Sequence, residues 1–210
     1  MKVFQILTHI GHSEKVFVMK RLLLILILTL NFQSWTKADD IRDFEIEGIS
    51  IGDSLLDYFS EDYINSNIKN NYFTHIKDKT FVAISVQDAS FDVYDVMQFV
   101  FKRNDKKFII FGMTGGIFYK NNIEDCYRKI DKISEDVSTN IKFNNEDKFK
   151  DLEMSANQGK YSGQTFFLSK GIISVHCYDW SEKIEKENNW IDNLRINIKT
   201  DEFENFLQKG

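Results

Sequence analysis

The chain has 210 residues, with 27 basic and 32 acidic side chains. Five of the basic residues and one of the acidic residues lie before residue 39, so residues 39–210 carry a net charge of −9. Such an acidic surface repels nucleic acid and anionic lipid, which excludes both as expected partners, and 172 residues are enough for one domain with a hydrophobic core.

The N-terminal region has the pattern of a secretory leader. Met19-Lys20-Arg21 is a short basic start, and residues 22–30 (LLLILILTL) are an apolar run of nine. Residues 31–38 turn polar and end on the small residue Ala38. This order predicts a signal peptide over residues 1–38, with 1–18 an artefact of the start site, and an exported domain over 39–210.

An uncleaved membrane anchor is the alternative reading of the same run. A membrane span needs about 20 apolar residues, and this run stops at Asn31, near half that length. The leader contains no cysteine that could carry a lipid. We therefore expect a bacterial periplasmic or secreted protein without stable membrane insertion after cleavage.

The two cysteines, Cys126 and Cys177, both follow the leader. In an oxidising compartment such a pair can form a structural disulfide. Each cysteine also lies in an apolar pattern, so two buried free thiols are the alternative.

The first part of the exported chain predicts a strand followed by a helix. Residues 44–51 (FEIEGISI) alternate apolar and polar side chains, and Gly48 interrupts the alternation as a bulge or turn. Ser54, followed three residues later by Asp57, forms a capping box that starts a helix. Its inward side chains are predicted to be Leu55, Leu56 and Phe59. Residues 60–79 are polar and predict a short helix or a loop.

Residues 80–140 predict three strands and a long helix. The strands are expected over 80–86, 91–102 and 107–119, with a hairpin turn at 103–106 and a bend at residues 114–116. The helix is expected over 122–140, because its apolar residues recur every three or four positions. These are Ile123, Cys126, Tyr127, Ile130, Ile133 and Val137.

The remaining chain predicts further strands and a closing helix. Strands are expected at 149–154 (weakly), 161–169, 172–180 and 190–199, with a charged loop at 179–189. In the last strand Leu194, Ile196 and Ile198 alternate with polar residues. A helix over 201–208, capped by Thr200, closes the chain.

Strands joined in consecutive runs predict antiparallel pairing. The fold class is therefore α+β, with antiparallel sheet covered by helices. The blocks 54–119 and 123–199 share the order of one helix and then three strands, which suggests a duplicated unit.

Gly52-Asp53-Ser54-Leu55 follows the first strand and resembles the first block of the GDSL hydrolases, a family of exported esterases and lipases. The resemblance implies that Ser54 is the nucleophile, that a histidine accepts its proton, and that strands and helices alternate around a parallel sheet. The family's Gly-x-Asn-Asp block and its C-terminal Asp-x-x-His are absent. Capping by Ser54 explains the same residue without catalysis.

The stretch from Gly52 to Asp57, followed by three strands, is also similar to the Gly-Met-Ser/Thr opening of small exported helix-plus-sheet modules. Outer-membrane assembly lipoproteins and β-lactamase-inhibitor-type proteins are examples, and their likeness implies a binding or assembly role. Asp53 stands at the position of their methionine. As a whole, DFEIEGISIGDSLLDYF after a signal resembles an uncharacterised family of small exported bacterial proteins.

Other candidate sites have plainer structural readings. His176 and Cys177 are neighbours on a strand and point to opposite faces, so they cannot pair as a Cys–His nucleophile. Asp88, Asp92 and Asp95 lack EF-hand spacing, and a solvated strand edge explains them. Residues 112–116 (GMTGG) lack the Lys-Ser/Thr of a phosphate loop, so we expect a turn there. We expect no metal and no cofactor. The alternatives for the aromatic residues are a ligand groove or core and rim packing; they are Tyr119, Tyr127, Tyr161, Tyr178, Trp180 and Trp190.

The sequence thus predicts a non-enzymatic binding or interaction module of the cell envelope, acting on an envelope protein or a small ligand. The alternative is a secreted GDSL-type esterase using Ser54.

Overall fold

The computed structural model describes residues 40–69, 72–87, 91–120 and 122–209. The expected leader, its cleavage point and Asp88 lie outside these residues. Within the described ranges, no helix is long and apolar enough to cross a membrane.

The described residues form a small hairpin, one large sheet and four α-helices. The hairpin pairs β1 (Glu45–Ile46) with β2 (Ile49–Ser50). The strands of the sheet are β3 (Ile68–Lys69), β4 (Phe81–Val86), β5 (Val96–Lys102), β6 (Ile110–Phe118), β7 (Asn145–Glu153), β8 (Gly159–Phe167), β9 (Gly171–Trp180) and β10 (Asn193–Thr200). The α-helices are α1 (Glu61–Asn67), α2 (Ile123–Asn140), α3 (Glu182–Asn188) and α4 (Asp201–Leu207).

The sheet consists of two meanders joined at its centre. Its strand order is β3-β4-β5-β6-β10-β9-β8-β7, and every neighbouring pair is antiparallel. The predicted α+β class with antiparallel sheet is confirmed. Each half is a helix followed by a meander, and the two halves meet where their last strands, β6 and β10, pair. A two-fold axis passing between β6 and β10 would relate two halves arranged in this way. Each half contributes four strands, so the first half has one strand, β3, beyond the three predicted for it, and the weakly predicted strand of the second half is present as β7.

One face of the sheet is covered by α1 and α2. The predicted apolar stripe of α2 is confirmed, since Cys126, Ile130 and Val137 are buried against the sheet. The strands contribute alternate side chains to the same core, because successive residues of a strand point to opposite faces. On β10 the inward residues are Leu194, Ile196 and Ile198, as the sequence predicts.

A second, smaller apolar cluster lies on the other side of the sheet. Helix α4 packs Phe203 and Phe206 against Phe81 and its neighbours. Thr200 caps this helix as expected, with its Oγ1 accepting a hydrogen bond from the Phe203 N–H at 3.2 Å. Helix α4 covers one end of this side only. We call the remainder, formed by outward side chains of β5 to β10 and of the segment that precedes β10, the open face.

The helix expected from Ser54 is only one turn of 3-10 helix, Leu55–Asp57. It ends because Ser60 starts a new helix, accepting a hydrogen bond from the Tyr63 N–H at 3.3 Å. Leu55 is buried as predicted, whereas Leu56 is 41% exposed, so its inward placement was wrong. The one-turn 3-10 helix directs the Leu56 side chain towards solvent, whereas the prediction assumed a continuous α-helix.

Two other local expectations change. Residues 112–116 lie within β6 and pair regularly with β10, so they do not form a turn. The ring of Phe203 on α4 lies over Gly112, where a Cβ would be 2.6 Å from the ring.

The charged segment after β9 forms helix α3 in place of the expected loop.

The two cysteines lie at bonding distance and link α2 to β9, with their Cα atoms 6.0 Å apart. Cys177 points into the core beneath α2, so the bond holds the helix on the central strands. The alternative of two free thiols is not what the structure contains.

Loss of this bond should destabilise the domain. The bridge joins residues 51 apart, for which the chain-entropy model gives about 4 kcal/mol. We expect the double variant Cys126→Ser, Cys177→Ser to lose that order of stability in chemical denaturation. Dithiothreitol should reproduce the loss in the native protein and leave the variant unchanged.

Candidate functional site

Strand β10 supplies the centre of the open face. Its outward residues, Asn193, Arg195, Asn197 and Lys199, alternate with the buried ones that hold the strand in the core. Arg195 lies between Gly116 on β6 and His176 on β9 in the strand register. The buried half of the strand therefore fixes the position of the polar half.

An aromatic row crosses the open face over β7, β8 and β9. Consecutive ring centroids are 4.5 Å apart for Trp190–Trp180, 5.6 Å for Trp180–Tyr178, 6.0 Å for Tyr178–Tyr161 and 5.0 Å for Tyr161–Phe149. The Tyr178 ring is nearly parallel to both neighbouring rings. Such contacts fix the rings against one another. We call these five residues the aromatic row.

His176 fills the space beside the row. Its partner on β8 is Gly163, where an added Cβ would lie 2.7 Å from the imidazole. The missing side chain lets the imidazole cross β8 and contact the Phe149 ring, with centroids 5.0 Å apart. Burial, together with the charges of Lys199 and Arg195, lowers the pKa of His176 to about 4. His176 is therefore uncharged at neutral pH.

Arg195 lies on the aromatic row. Its guanidinium is 4.5 Å from the Tyr178 ring centroid and 5.9 Å from that of Trp180, within the range of cation–π attraction. Its Nε donates a hydrogen bond to Asn193 Oδ1 at 2.8 Å. Burial lowers the pKa of this group, but an arginine stays charged at any physiological pH.

Neutral polar groups continue the face beside Arg195. The Thr114 hydroxyl donates to Asn197 Oδ1 at 2.8 Å, and Asn197 Nδ2 donates to Ser174 Oγ at 3.1 Å. These bonds run across β6, β10 and β9, so they order three strands at once. Lys199, further along β10, is paired with Glu204 at 2.5 Å.

Three cavities open on this side of the sheet, with volumes of about 360, 340 and 270 Å³. Arg195 and Asn193 line the two larger ones, which lie towards Tyr72 and towards Trp190. A smaller cavity of about 190 Å³ lies at the edge of the covered side, beside Tyr127 and Ile130. Binding sites for small molecules usually have volumes of about 300–1,000 Å³, which favours the open face.

The segment that carries Trp190 is tied to β9 by Asp192. Its Oδ1 accepts a hydrogen bond from the Trp180 N–H at 2.8 Å, and its backbone carbonyl accepts one from the Tyr119 N–H at 2.7 Å. Burial raises the pKa of Asp192 to about 6; the hydrogen bond from the Trp180 N–H opposes this shift, and the nearby charges of Asp179 and Glu185 add to it. A carboxyl group thus positions one end of the aromatic row.

The structure separates the residues of the predicted chemistry. Ser54 Oγ accepts a hydrogen bond from the Leu56 N–H at 3.2 Å and donates one to the Lys107 carbonyl at 2.6 Å, so the hydroxyl caps the turn and ties it to residue 107. His176 contacts Thr165 instead, with Nε2 3.1 Å from Oγ1. Within the described chain no carboxylate hydrogen-bonds to this imidazole. His176 therefore lacks the group that orients the base in a nucleophile–base site. His75 is exposed in a loop.

Four of the six aromatic residues considered from the sequence meet on the open face: Tyr161, Tyr178, Trp180 and Trp190. Tyr127 lies at α2, where its hydroxyl donates to Asp179 Oδ2 at 3.2 Å, and Tyr119 packs against the main core. Phe149 and Arg195 were not singled out beforehand. The only feature of the sequence that pointed to Arg195 was the alternation of polar and apolar residues along β10. Among the described residues, no group of three His, Cys, Asp or Glu side chains is placed to hold a metal ion.

Comparison of the chain with models of protein families, with curated proteins and with solved structures finds no match. The sheet is antiparallel throughout, whereas the GDSL resemblance implies a parallel one.

Replacing Ser54 tests its capping role. Ser54→Ala should lower the free energy of unfolding by about 1 kcal/mol, the usual effect of losing an N-cap. We expect neither the native protein nor the variant to hydrolyse p-nitrophenyl acetate above the buffer rate. Enzymatic turnover that Ser54→Ala abolishes would contradict the structural assignment.

Replacing Asp192 tests its pKa. Because this pKa is raised in the folded state, the folded protein loses stability as pH rises from about 4 to above 6. Asp192→Asn removes that dependence. The Tm of the variant minus the Tm of the native protein should therefore be larger at pH 8 than at pH 4.5. After allowance for solvent screening we expect a rise on the order of 1 kcal/mol, or about 2–4 °C.

Asp147→Asn is the control for that experiment, since it removes the same charge from an exposed position on β7. An equal pH-dependent gain in both variants would mean that overall charge, and not the surroundings of Asp192, causes the effect.

Proposed function

We propose that this protein is a non-enzymatic interaction module of the bacterial cell envelope and that the open face binds a partner protein. The observation that carries the proposal is the convergence of Trp190, Trp180, Tyr178 and Arg195 on one surface. Trp, Tyr and Arg are the residues most often found to dominate the binding energy of protein interfaces.

The preorganisation of these side chains supports the proposal. Ring stacking, the Asp192 contacts and the hydrogen bonds of Asn193 and Asn197 hold the surface in one arrangement. Ordering a mobile side chain on association costs about 0.5–1.5 kcal/mol. A surface that is already ordered avoids much of this cost.

The first two residues of the aromatic row differ in exposure. Trp190 is 44% exposed, whereas Trp180 beneath it is 9% exposed. A partner covering Trp190 would bury a large aromatic side chain that rests on a rigid base. This is the arrangement expected of an anchor residue at the centre of an interface.

The envelope assignment rests on the leader pattern of residues 1–38 and on the Cys126–Cys177 bridge. Structural disulfides are typical of proteins outside the cytoplasm. The net charge of −9 over residues 39–210 favours a protein partner over nucleic acid or anionic lipid.

Site-specific photocrosslinking tests the binding surface. We would replace Trp190 with p-benzoylphenylalanine in the cells that make the protein and irradiate them. The matched control places the same group at Tyr63, an aromatic residue that is 38% exposed on α1, in the layer covering the other face. Position 190 should give a discrete protein adduct that position 63 does not give.

The same adduct from both positions, or none from position 190, would refute the open face as the surface that binds a protein. Crosslinking to a compound of low mass would instead indicate that the face binds a small ligand.

A further inference from the structure

Arg195 differs from Arg42 and Arg128, each of which pairs with a carboxylate. Arg42 pairs with Asp40 at 2.6 Å, and Arg128 pairs with Asp125. Within the described residues no carboxylate lies within ion-pair distance of Arg195, although it is only partly accessible to solvent. The groups that meet its charge are the face of the Tyr178 ring and the side-chain oxygen of Asn193.

The guanidinium is oriented but not saturated. Tyr178 holds its plane and Asn193 accepts from Nε, while the two Nη groups have no hydrogen-bond acceptor among the residues described. Two parallel N–H donors of this kind match the two oxygens of a carboxylate. A partly buried charge that lacks a counter-ion is costly, so an anion placed there would recover part of that cost.

The surroundings of Arg195 on the open face are neutral or positive. The nearby side chains of Thr114, Asn197 and Ser174 are uncharged, and burial keeps His176 neutral. Lys199 already has Glu204 as its partner. The site therefore attracts one negative group, while the net charge of −9 over residues 39–210 repels a densely acidic partner.

We propose that the partner bound by the open face presents one Asp or Glu side chain to the Nη groups of Arg195, from a segment otherwise uncharged or basic. This inference rests on the proposed function, because it specifies the chemistry of the same partner. The apolar side chains flanking that carboxylate pack on Trp180 and Trp190. The cavity of about 340 Å³ that these residues line with Arg195 provides the space.

Peptide display tests the proposal without knowledge of the natural partner. A random twelve-residue library on phage would be selected on the native protein, on Arg195→Gln and on Arg128→Gln. The last variant removes the same charge from α2, on the covered side, and is the matched control. The native protein and Arg128→Gln should enrich peptides that share one acidic position beside aromatic or aliphatic residues, and Arg195→Gln should not.

A synthetic pair then measures the contact directly. Replacing the shared Glu or Asp of a selected peptide with its amide should weaken binding to the native protein about tenfold, as expected for a charge-assisted hydrogen bond. The same replacement should change the affinity for Arg195→Gln by less than twofold. Arg195→Lys keeps the charge without the paired donors. The loss of affinity that the amide replacement causes with this variant should lie between the losses seen with the native protein and with Arg195→Gln. Unchanged Tm values of the variants show that each is folded.

Selected peptides that lack a shared acid, equal enrichment on Arg195→Gln, or no enrichment on the native protein would overturn the carboxylate inference. A crosslink from position 190 obtained alongside such a result would leave the open face as a binding surface of different chemistry. A missing crosslink refutes the proposed function itself, whatever the peptides show.

Discussion

The pairing of β10 with β6 and β9 is the constraint on which the rest of the structure depends. It joins the two meanders into one sheet, with Leu194 opposite Ile117 and Cys177. The same strand separates the two faces, because its alternate residues enter the core or the open face. A register shift of one residue would exchange these sets and place Arg195 under α2. Burial of the apolar residues of β10 thus fixes the polar surface on its other side.

The covered face holds the main hydrophobic core, whereas most of the open face has no helix packed on it. The disulfide and the apolar stripe of α2 hold the covering layer on the strands that carry Tyr178 and Arg195. Helix α4 closes one end of the opposite side with its own phenylalanine cluster. Four of the five residues of the aromatic row therefore lie on a rigid sheet flanked by packed helices, where side-chain positions are more precisely held than on loops. Trp190, in the segment before β10, rests on Trp180.

Local patterns in the sequence were enough for much of the fold. The stripe of α2 and the alternation of β10 are strong periodic signals, and the Thr200 cap is a short-range one. The fold class followed from strands joined by short connections. The first helix was misplaced because a capping box marks a start and says little about length, and Ser60 supplies a second cap six residues later. Helix α3 was missed because none of its residues is buried, so it has no inward stripe.

The candidate site could be predicted only in part. Four of its aromatic residues were considered as groove residues, but their meeting depends on the register of β8 with β9. The position of Arg195 depends on the contact between β10 and β6, whose paired residues lie about 80 positions apart in the chain. No local pattern encodes such a pairing. The role of Gly163 likewise appears only when His176 lies across it.

The central claim is that a partner covers the open face and leaves the covering helices exposed. Hydroxyl-radical footprinting by mass spectrometry measures this directly, comparing the isolated protein with the protein in an extract of the cells that make it. We expect oxidation of Trp190 and Tyr178 to fall in the extract while that of Tyr63 on α1 stays the same. Protection of Tyr63 with Trp190 unchanged would contradict the account.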